Sequence, residues 1–157
     1  MNRVGIGIDV HRFVAGRRCI IGGVDIPHEV GLEGHSDADV LAHAVADALL
    51  GAAALGDIGK FYPPDDKQFK DMDSMVIVRE CAERVRQASG RINNVDAMIV
   101  AQAPKMAPHI PQMRETIAKH MGVSPSQVGI KATTSEHMGF TGRKEGIVVV
   151  AIASVEM

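Results

Sequence analysis

At 157 residues, 46% of them hydrophobic and 23% charged, the chain is long enough for one buried core and too apolar for general disorder. Lys and Arg number 17 against 19 Asp and Glu, a net charge of -2, and aromatic residues are 3%, which excludes a global basic field for nucleic acid and stacking platforms for single strands. No apolar run nears the ~20 residues of a membrane span, and Asp9 interrupts the amino terminus where a signal peptide needs its apolar core, so no membrane association and a cytoplasmic location are expected.

Residues Arg3 to Val10 predict an opening strand of a buried sheet, because Val4, Ile6, Ile8 and Val10 are branched and apolar at alternate positions. Successive strand side chains point to opposite faces, so Asp9 and His11 share the face opposite to those apolar residues. A strand needs neither a carboxylate nor an imidazole there. After a loop at Ala15 to Arg18, Cys19-Ile20-Ile21 and Val24-Asp25-Ile26 read as a hairpin turned by Gly22-Gly23 and ended by Pro27. Cys19 and Cys81 show no C-x-x-C spacing and read as buried free thiols.

Ser36 with Asp39 resembles a capping box ahead of a helix whose apolar stripe is Val40, Leu41, Ala44, Val45, Ala48 and Leu49, with an end near Leu55. Helical spacing puts His43 on the side of Asp39 and Asp47, roughly opposite the centre of that stripe, where it reads as solvated and Asp47 could orient its ring. Gly56 to Phe69 has loop composition. Asp73 or Ser74 caps a second helix with the stripe Val76, Ile77, Cys81, Ala82 and Val85, ending near Gly90. Asn94 to Ala103 follows as a strand, Pro111 to Met121 as a helix stopped by Gly122, and Val128 to Thr133 as a strand. Thr134 to Lys144 is loop, and Ile147 to Val155 is the last strand. Helices falling between strands predict an α+β fold, a mixed β-sheet with helices packed on one face in a ferredoxin-like sandwich, as a single domain over 1–157.

Asp9, His11 and His43 are the ligand chemistry of a catalytic zinc site with an open fourth position, although spacing alone leaves open whether they meet. Other polar clusters sit at expected element ends, where sites are usually built: His35-Ser36, Asp57-Ile58-Gly59, Ala101 to Met106, and Thr133-Thr134-Ser135-Glu136.

Taken together, GIGIDVHRF, EGHSDADVLAHAVADALLGAAALGDIGKFYPPDD, VDAMIVAQAPKMAPHIPQMR and IKATTSEHMGFTGRKEGI resemble the 2-C-methyl-D-erythritol 2,4-cyclodiphosphate synthase family, in order and over essentially the whole chain. The resemblance implies a phosphorus-oxygen lyase of the non-mevalonate isoprenoid pathway. Its substrate would be 4-diphosphocytidyl-2-C-methyl-D-erythritol 2-phosphate, whose 2-phosphate attacks the β-phosphorus, expels CMP and closes a cyclic diphosphate. Such a transfer is mostly a problem of charge and alignment, and an ionised phosphate needs no general base.

The resemblance further implies a divalent metal, usually zinc, on Asp9, His11 and His43, and a second ion, magnesium or manganese, on Glu136 and the substrate phosphates. His35 and Thr134 match positions that steady the reacting phosphates, and are the candidate catalytic residues. Ala101, Gln102, Ala103, Pro104, Lys105, Met106 and Ala107 resemble the cytidine pocket, with Lys105 toward the diphosphate. Asp57, Ile58 and Gly59, with Tyr62, Pro63, Pro64, Asp65 and Asp66, resemble the segment that holds the methylerythritol part. Asp9, His11, Ser36, Thr133 and Ser135 complete the expected substrate contacts. A homotrimer with sites between subunits is implied, and Phe140 and Arg143 match positions where some members hold an isoprenoid diphosphate in a central cavity. Tyr62 stands where relatives often have Phe, Ser135 where many have Thr, and Ala107 where Leu is frequent.

Overall fold

In the computed structural model, which describes Met1–Met157, the long strand β1 (Asn2–Val14) pairs antiparallel with β7 (Gly146–Glu156), in a register running from Asn2 opposite Glu156 to Arg12 opposite Gly146. On its far side β7 pairs antiparallel with β5 (Arg91–Val100), and β5 runs parallel to β6 (Val128–Thr133). A short β4 (Gly31–Leu32) on the other edge of β1 completes a five-stranded mixed sheet, β4-β1-β7-β5-β6. The separate hairpin is β2 (Cys19–Ile21) and β3 (Val24–Ile26), turned by Gly22 and Gly23 at φ +61° and +71° as their positions require. Helices α1 (Val40–Ala52), α2 (Ile58–Phe61), α3 (Ser74–Gln87), α4 (Ile110–Met121) and α5 (Gly139–Gly142) fill the intervals. Packed helices lie on one face as expected, but the parallel β5–β6 pair and the order β1, α1, α3, β5, α4, β6, β7 depart from the βαββαβ order of a ferredoxin-like sandwich.

The largest correction concerns β1. Its alternation is real, yet the apolar set Val4, Ile6, Ile8 and Val10 is 68, 62, 58 and 50% exposed, and the covered face carries Gly5, Gly7, Asp9 and His11. Backbone proximity explains the choice. A Cβ on Gly5 would collide with the Ala48 carbonyl and the Ala52 amide, and one on Gly7 with the Ala44 carbonyl, so α1 lies directly on the strand where only glycine leaves room. Facing this contact, α1 offers Ala44, Ala48 and Ala52, all buried.

Helix α1 starts later than the proposed capping box. Asp39 rather than Ser36 is its N-cap, accepting from the Ala42 amide, and Ala52 rather than Leu55 is its last residue. The Asp39 carboxylate also accepts from the amides of Gly22 at 2.9 Å and Gly23 at 2.7 Å, tying the hairpin to the helix start. Segments expected as loop contain α2, a 3-10 turn at Lys67–Phe69 and α5. Strand β5 begins and ends three residues earlier than predicted, so Ala101 to Ala103 leave the sheet. Gly122 ends α4 in the left-handed region at φ +68°.

A core cluster of 36 buried residues joins the sheet to α1, α3 and α4. A smaller cluster of Ala46, Leu50, Ile77 and Cys81 lies between α1 and α3, and Ile58, Phe61, Tyr62 and Met72 pack over it. Both cysteines are buried and free. No helix is long and apolar enough to cross a membrane.

Candidate metal centre

The contact that seats α1 on β1 also builds the site. Gly5 faces Ala48 and Ala52, and Gly7 faces Ala44; one more step along both elements brings Asp9 to His43. Asp9 Oδ2 lies 2.9 Å from His11 Nε2 and 3.2 Å from His43 Nδ1, and the two ring nitrogens are 3.4 Å apart. One ligand atom from each of the three residues falls within 4.8 Å of the others. Two imidazole nitrogens and one carboxylate oxygen are borderline-soft donors that suit zinc, and three ligands leave a position open to a further oxygen.

The surroundings hold these side chains in place. His11 Nδ1 lies 2.6 Å from the Glu33 carbonyl, which can only accept, so Nδ1 donates and Nε2 is the nitrogen turned to Asp9 and free to serve as the ligand atom. His43 Nε2 lies 2.8 Å from Ser74 Oγ and 3.3 Å from Ser36 Oγ. His43 is 8% exposed, which corrects its expected solvated position: α3 covers the side of α1 opposite the predicted stripe. Asp47 does not orient the ring, because its carboxylate accepts from the Ile58 amide at 2.7 Å. Burial works against the Asp9 carboxylate, but hydrogen bonds and charge from His11 and His43 outweigh it and leave the pKa lowered. Burial likewise opposes a charged His11, while the Asp9 hydrogen bond and charge, with the Glu33 carbonyl, raise its pKa.

The ligands open into a cleft of about 250 Å³ lined also by His35, Ser36, Ile58, Gly59, Tyr62 and Pro64. Sequence reasoning missed Phe69 and Ile77 in this wall, for Phe69 read as the end of a loop and Ile77 as part of a helix stripe. It also missed Ser74 as a partner of His43; it stands 31 positions away, and no local spacing announces it. His35 Nε2 donates to the Asp66 carbonyl at 2.9 Å, tying the loop over the cleft to the bend between β4 and α1. Asp57 caps α2, and Asp66 caps the following 3-10 turn, so both have local structural work. Pro63 and Asp65 do not line the cleft.

The remaining predicted residues gather elsewhere. Ala101 to Ala107 leave the end of β5 beside the end of β6, where the Ala101 amide donates to the Thr133 carbonyl at 3.0 Å and the His137 amide to Gln102 Oε1 at 3.1 Å. Ala101 and Met106 are buried, Lys105, Thr133, Thr134 and Glu136 are exposed, and Ser135 hydrogen bonds Thr141. Glu136 and His137 have φ of +53° and +61°, a strained pair for residues with side chains. Asp9, Val149 and Ile99 stand in one row across β1, β7 and β5, so two strand spacings, roughly 10 Å, separate Asp9 from the end of β5. None of these residues lines the cleft of the metal cluster within one chain. Phe140 lines a broader open groove of about 810 Å³ with Val10, Arg12 and Lys144, whereas Arg143 pairs with Glu145.

Fold and cluster together define an α+β protein with a candidate three-ligand metal centre. Residues 2–156 match the YgbB family, and the chain belongs to it. The 2-C-methyl-D-erythritol 2,4-cyclodiphosphate synthase of Geobacter sulfurreducens is 56% identical over 154 residues, covering 98% of each chain. Among solved structures, the bifunctional IspDF of Campylobacter jejuni aligns with a TM-score of 0.95 at 40% identity, over 99% of this chain and 42% of that one. An IspF from Plasmodium falciparum in a CDP complex aligns with a TM-score of 0.86 at 28% identity, over 98% of this chain and 95% of that one.

Proposed function

We propose that the protein converts 4-diphosphocytidyl-2-C-methyl-D-erythritol 2-phosphate to 2-C-methyl-D-erythritol 2,4-cyclodiphosphate and CMP. The observation that carries this reading is the meeting of Asp9, His11 and His43, drawn from two separate family motifs, at the mouth of a cleft. A 2-phosphate oxygen forms a bond to the β-phosphorus, and the bond from that phosphorus to the bridging oxygen of CMP breaks, with no water consumed. Asp9, His11 and His43 would hold zinc, which when bound supplies positive charge to the phosphate oxygens. Glu136, exposed on the loop after β6, would hold the second ion, magnesium or manganese.

The chain's own groups position and neutralise. His35, on the cleft wall, and Thr134 orient the reacting phosphates. Ser36, Ile58, Gly59, Tyr62 and Pro64, on the cleft wall, enclose the methylerythritol part, and Asp57, Pro63, Asp65 and Asp66 belong to the same segment outside that wall. Ala101 to Ala107 receive the cytidine, and exposed Lys105 faces its diphosphate with Thr133 and Ser135 nearby. The CDP complex of the Plasmodium falciparum relative supports recognition of a cytidine nucleotide.

The same reading makes the protein a homotrimer. Metal ligands and nucleotide segment are apart within one chain, so a complete site forms when one subunit's Asp9, His11 and His43 face a neighbour's Ala101 to Ala107. The open face of the sheet supports it: Val4, Ile6, Ile8, Val10 and Ile152 are exposed on β1 and β7, while Asp96 and Lys131 form an ion pair on the β5–β6 half. Phe140 and Arg143 then fall toward the central cavity, where an isoprenoid diphosphate would place its tail and its charge. Incubation with the cytidylylated substrate, zinc and magnesium, followed by phosphorus NMR, tests the reaction. One cyclic diphosphate with CMP is expected; linear bisphosphate with CMP would show hydrolysis instead and overturn the cyclase assignment.

A further inference from the structure

We propose that Ser74 and Asp37 are positioning residues that decide which ring nitrogen of His43 is presented to the metal site; the inference rests on the metal reading above. Ser74, buried at the first position of α3, has one hydroxyl proton, and that hydroxyl donates to Asp37 Oδ1 while the Ser74 amide donates to Asp37 Oδ2 at 3.0 Å. A carboxylate accepts only, so the Ser74 proton is committed to Asp37, and Ser74 Oγ turns a lone pair toward His43 Nε2 at 2.8 Å. Ser74 Oγ therefore draws the ring proton to Nε2. Its rival is the Asp9 carboxylate, which also only accepts but lies farther off, 3.2 Å from Nδ1; with the proton on the nearer partner, Nδ1 keeps its lone pair and faces Asp9 Oδ2 and His11 Nε2 at 3.2 and 3.4 Å.

The relay is anchored beyond its own members. Asp37 Oδ1 also accepts from the Asp39 amide at 3.1 Å, and the Asp37 amide donates to the Met72 carbonyl at 3.1 Å, so the carboxylate is fixed to the N-terminal ends of both α1 and α3. Ser36 Oγ is the other polar group on that nitrogen; it accepts from the Ala38 amide, and at 3.3 Å its contact with His43 Nε2 is longer than the 2.8 Å of Ser74. His11 is held in the complementary tautomer, proton on Nδ1 toward the Glu33 carbonyl, so the two rings offer different nitrogens to one point. Without Asp37 the Ser74 hydroxyl is free to donate to Nε2, which moves the ring proton to Nδ1 and blocks the ligand position. Ser74→Ala instead removes one acceptor and leaves the weaker Ser36 contact.

The test uses the full chain, metal-free and then titrated with zinc against a chelator, with ring nitrogen-15 NMR of His43 at pH 8. Wild type is expected as the Nε2–H tautomer, Asp37→Ala as a mixture rich in Nδ1–H, and both Asp37→Ala and Ser74→Ala should weaken zinc binding about 10–100-fold with unchanged circular dichroism. Folded variants that bind zinc within twofold of wild type and keep its tautomer would overturn the proposal. So would affinity losses that only track loss of circular dichroism in both variants. Wild-type protein that takes up no zinc sinks the metal reading instead, and the tautomer shift still decides whether the pair directs the ring.

Discussion

His43 shows how little a side chain's sequence position says about its chemistry until its neighbours are known. It sits on a helix beside two aspartates, yet one of them, Asp39, caps that helix and the other, Asp47, holds the Ile58 amide. His43→Ala should therefore leave the fold intact while zinc affinity falls by more than the ~10–100-fold expected for losing an outer partner. Full zinc content by elemental analysis in that variant would refute the ligand assignment. The two thiols behave in the opposite way. Burial pushes Cys19 up to about 11 and Cys81 up to about 12, so neither ionises near neutrality. Native protein at pH 8 is expected to resist iodoacetamide, and denatured protein to take up label at both. Because both folded values are raised, their contribution to stability is complete below pH 9, the ordinary thiol value, and is lost as pH rises through 11 and 12. A urea midpoint that climbs over that window would contradict the sign.

At the scale of elements, the β1–α1 contact carries both packing and site geometry. Gly7→Ala places a Cβ into the Ala44 carbonyl and is expected to cost about 1–3 kcal/mol or more, with weaker zinc binding because the helix bearing His43 must move. Gly51→Ala is the internal contrast. Its Cβ would meet nothing closer than 3.7 Å, and a helical glycine replaced by alanine should gain about 0.5–1 kcal/mol. Urea unfolding of both variants checks the pair; equal shifts would mean that backbone approach is not what selects Gly7. Asp39 joins the hairpin to the same helix, so Asp39→Ala loses an N-cap and strands the buried Gly22 amide, about 2–4 kcal/mol together in thermal unfolding. The hairpin glycines, Gly122 at the end of α4 and the bounds of β6 were all legible beforehand, because turn and cap chemistry acts within a few residues.

For the whole molecule, the decisive feature is a sheet with one half of its open face apolar. Ile6 and Ile8 are 62 and 58% exposed on β1, an arrangement that calls for a covering surface. On the proposed homotrimer, the double variant Ile6→Asp, Ile8→Asp is expected to sediment as a monomer that still binds zinc but turns over no substrate, since each chain would keep its metal ligands and lose the neighbour's nucleotide segment. A variant that stays trimeric would remove this face from the interface.

The sequence by itself determined the order of the longer strands and helices, the shared face of Asp9 and His11, and the motifs that place the chain in its family, because each depends on neighbours a few residues apart. Only the tertiary structure decided which face of β1 is covered, that His43 is buried 34 positions from Asp9, and that Ser74 rather than Asp47 holds its ring. The physical reason is that an alternating strand can be buried on either side. The choice fell to glycine: without side chains at Gly5 and Gly7, a helix backbone could come down onto the strand and bring the third ligand with it.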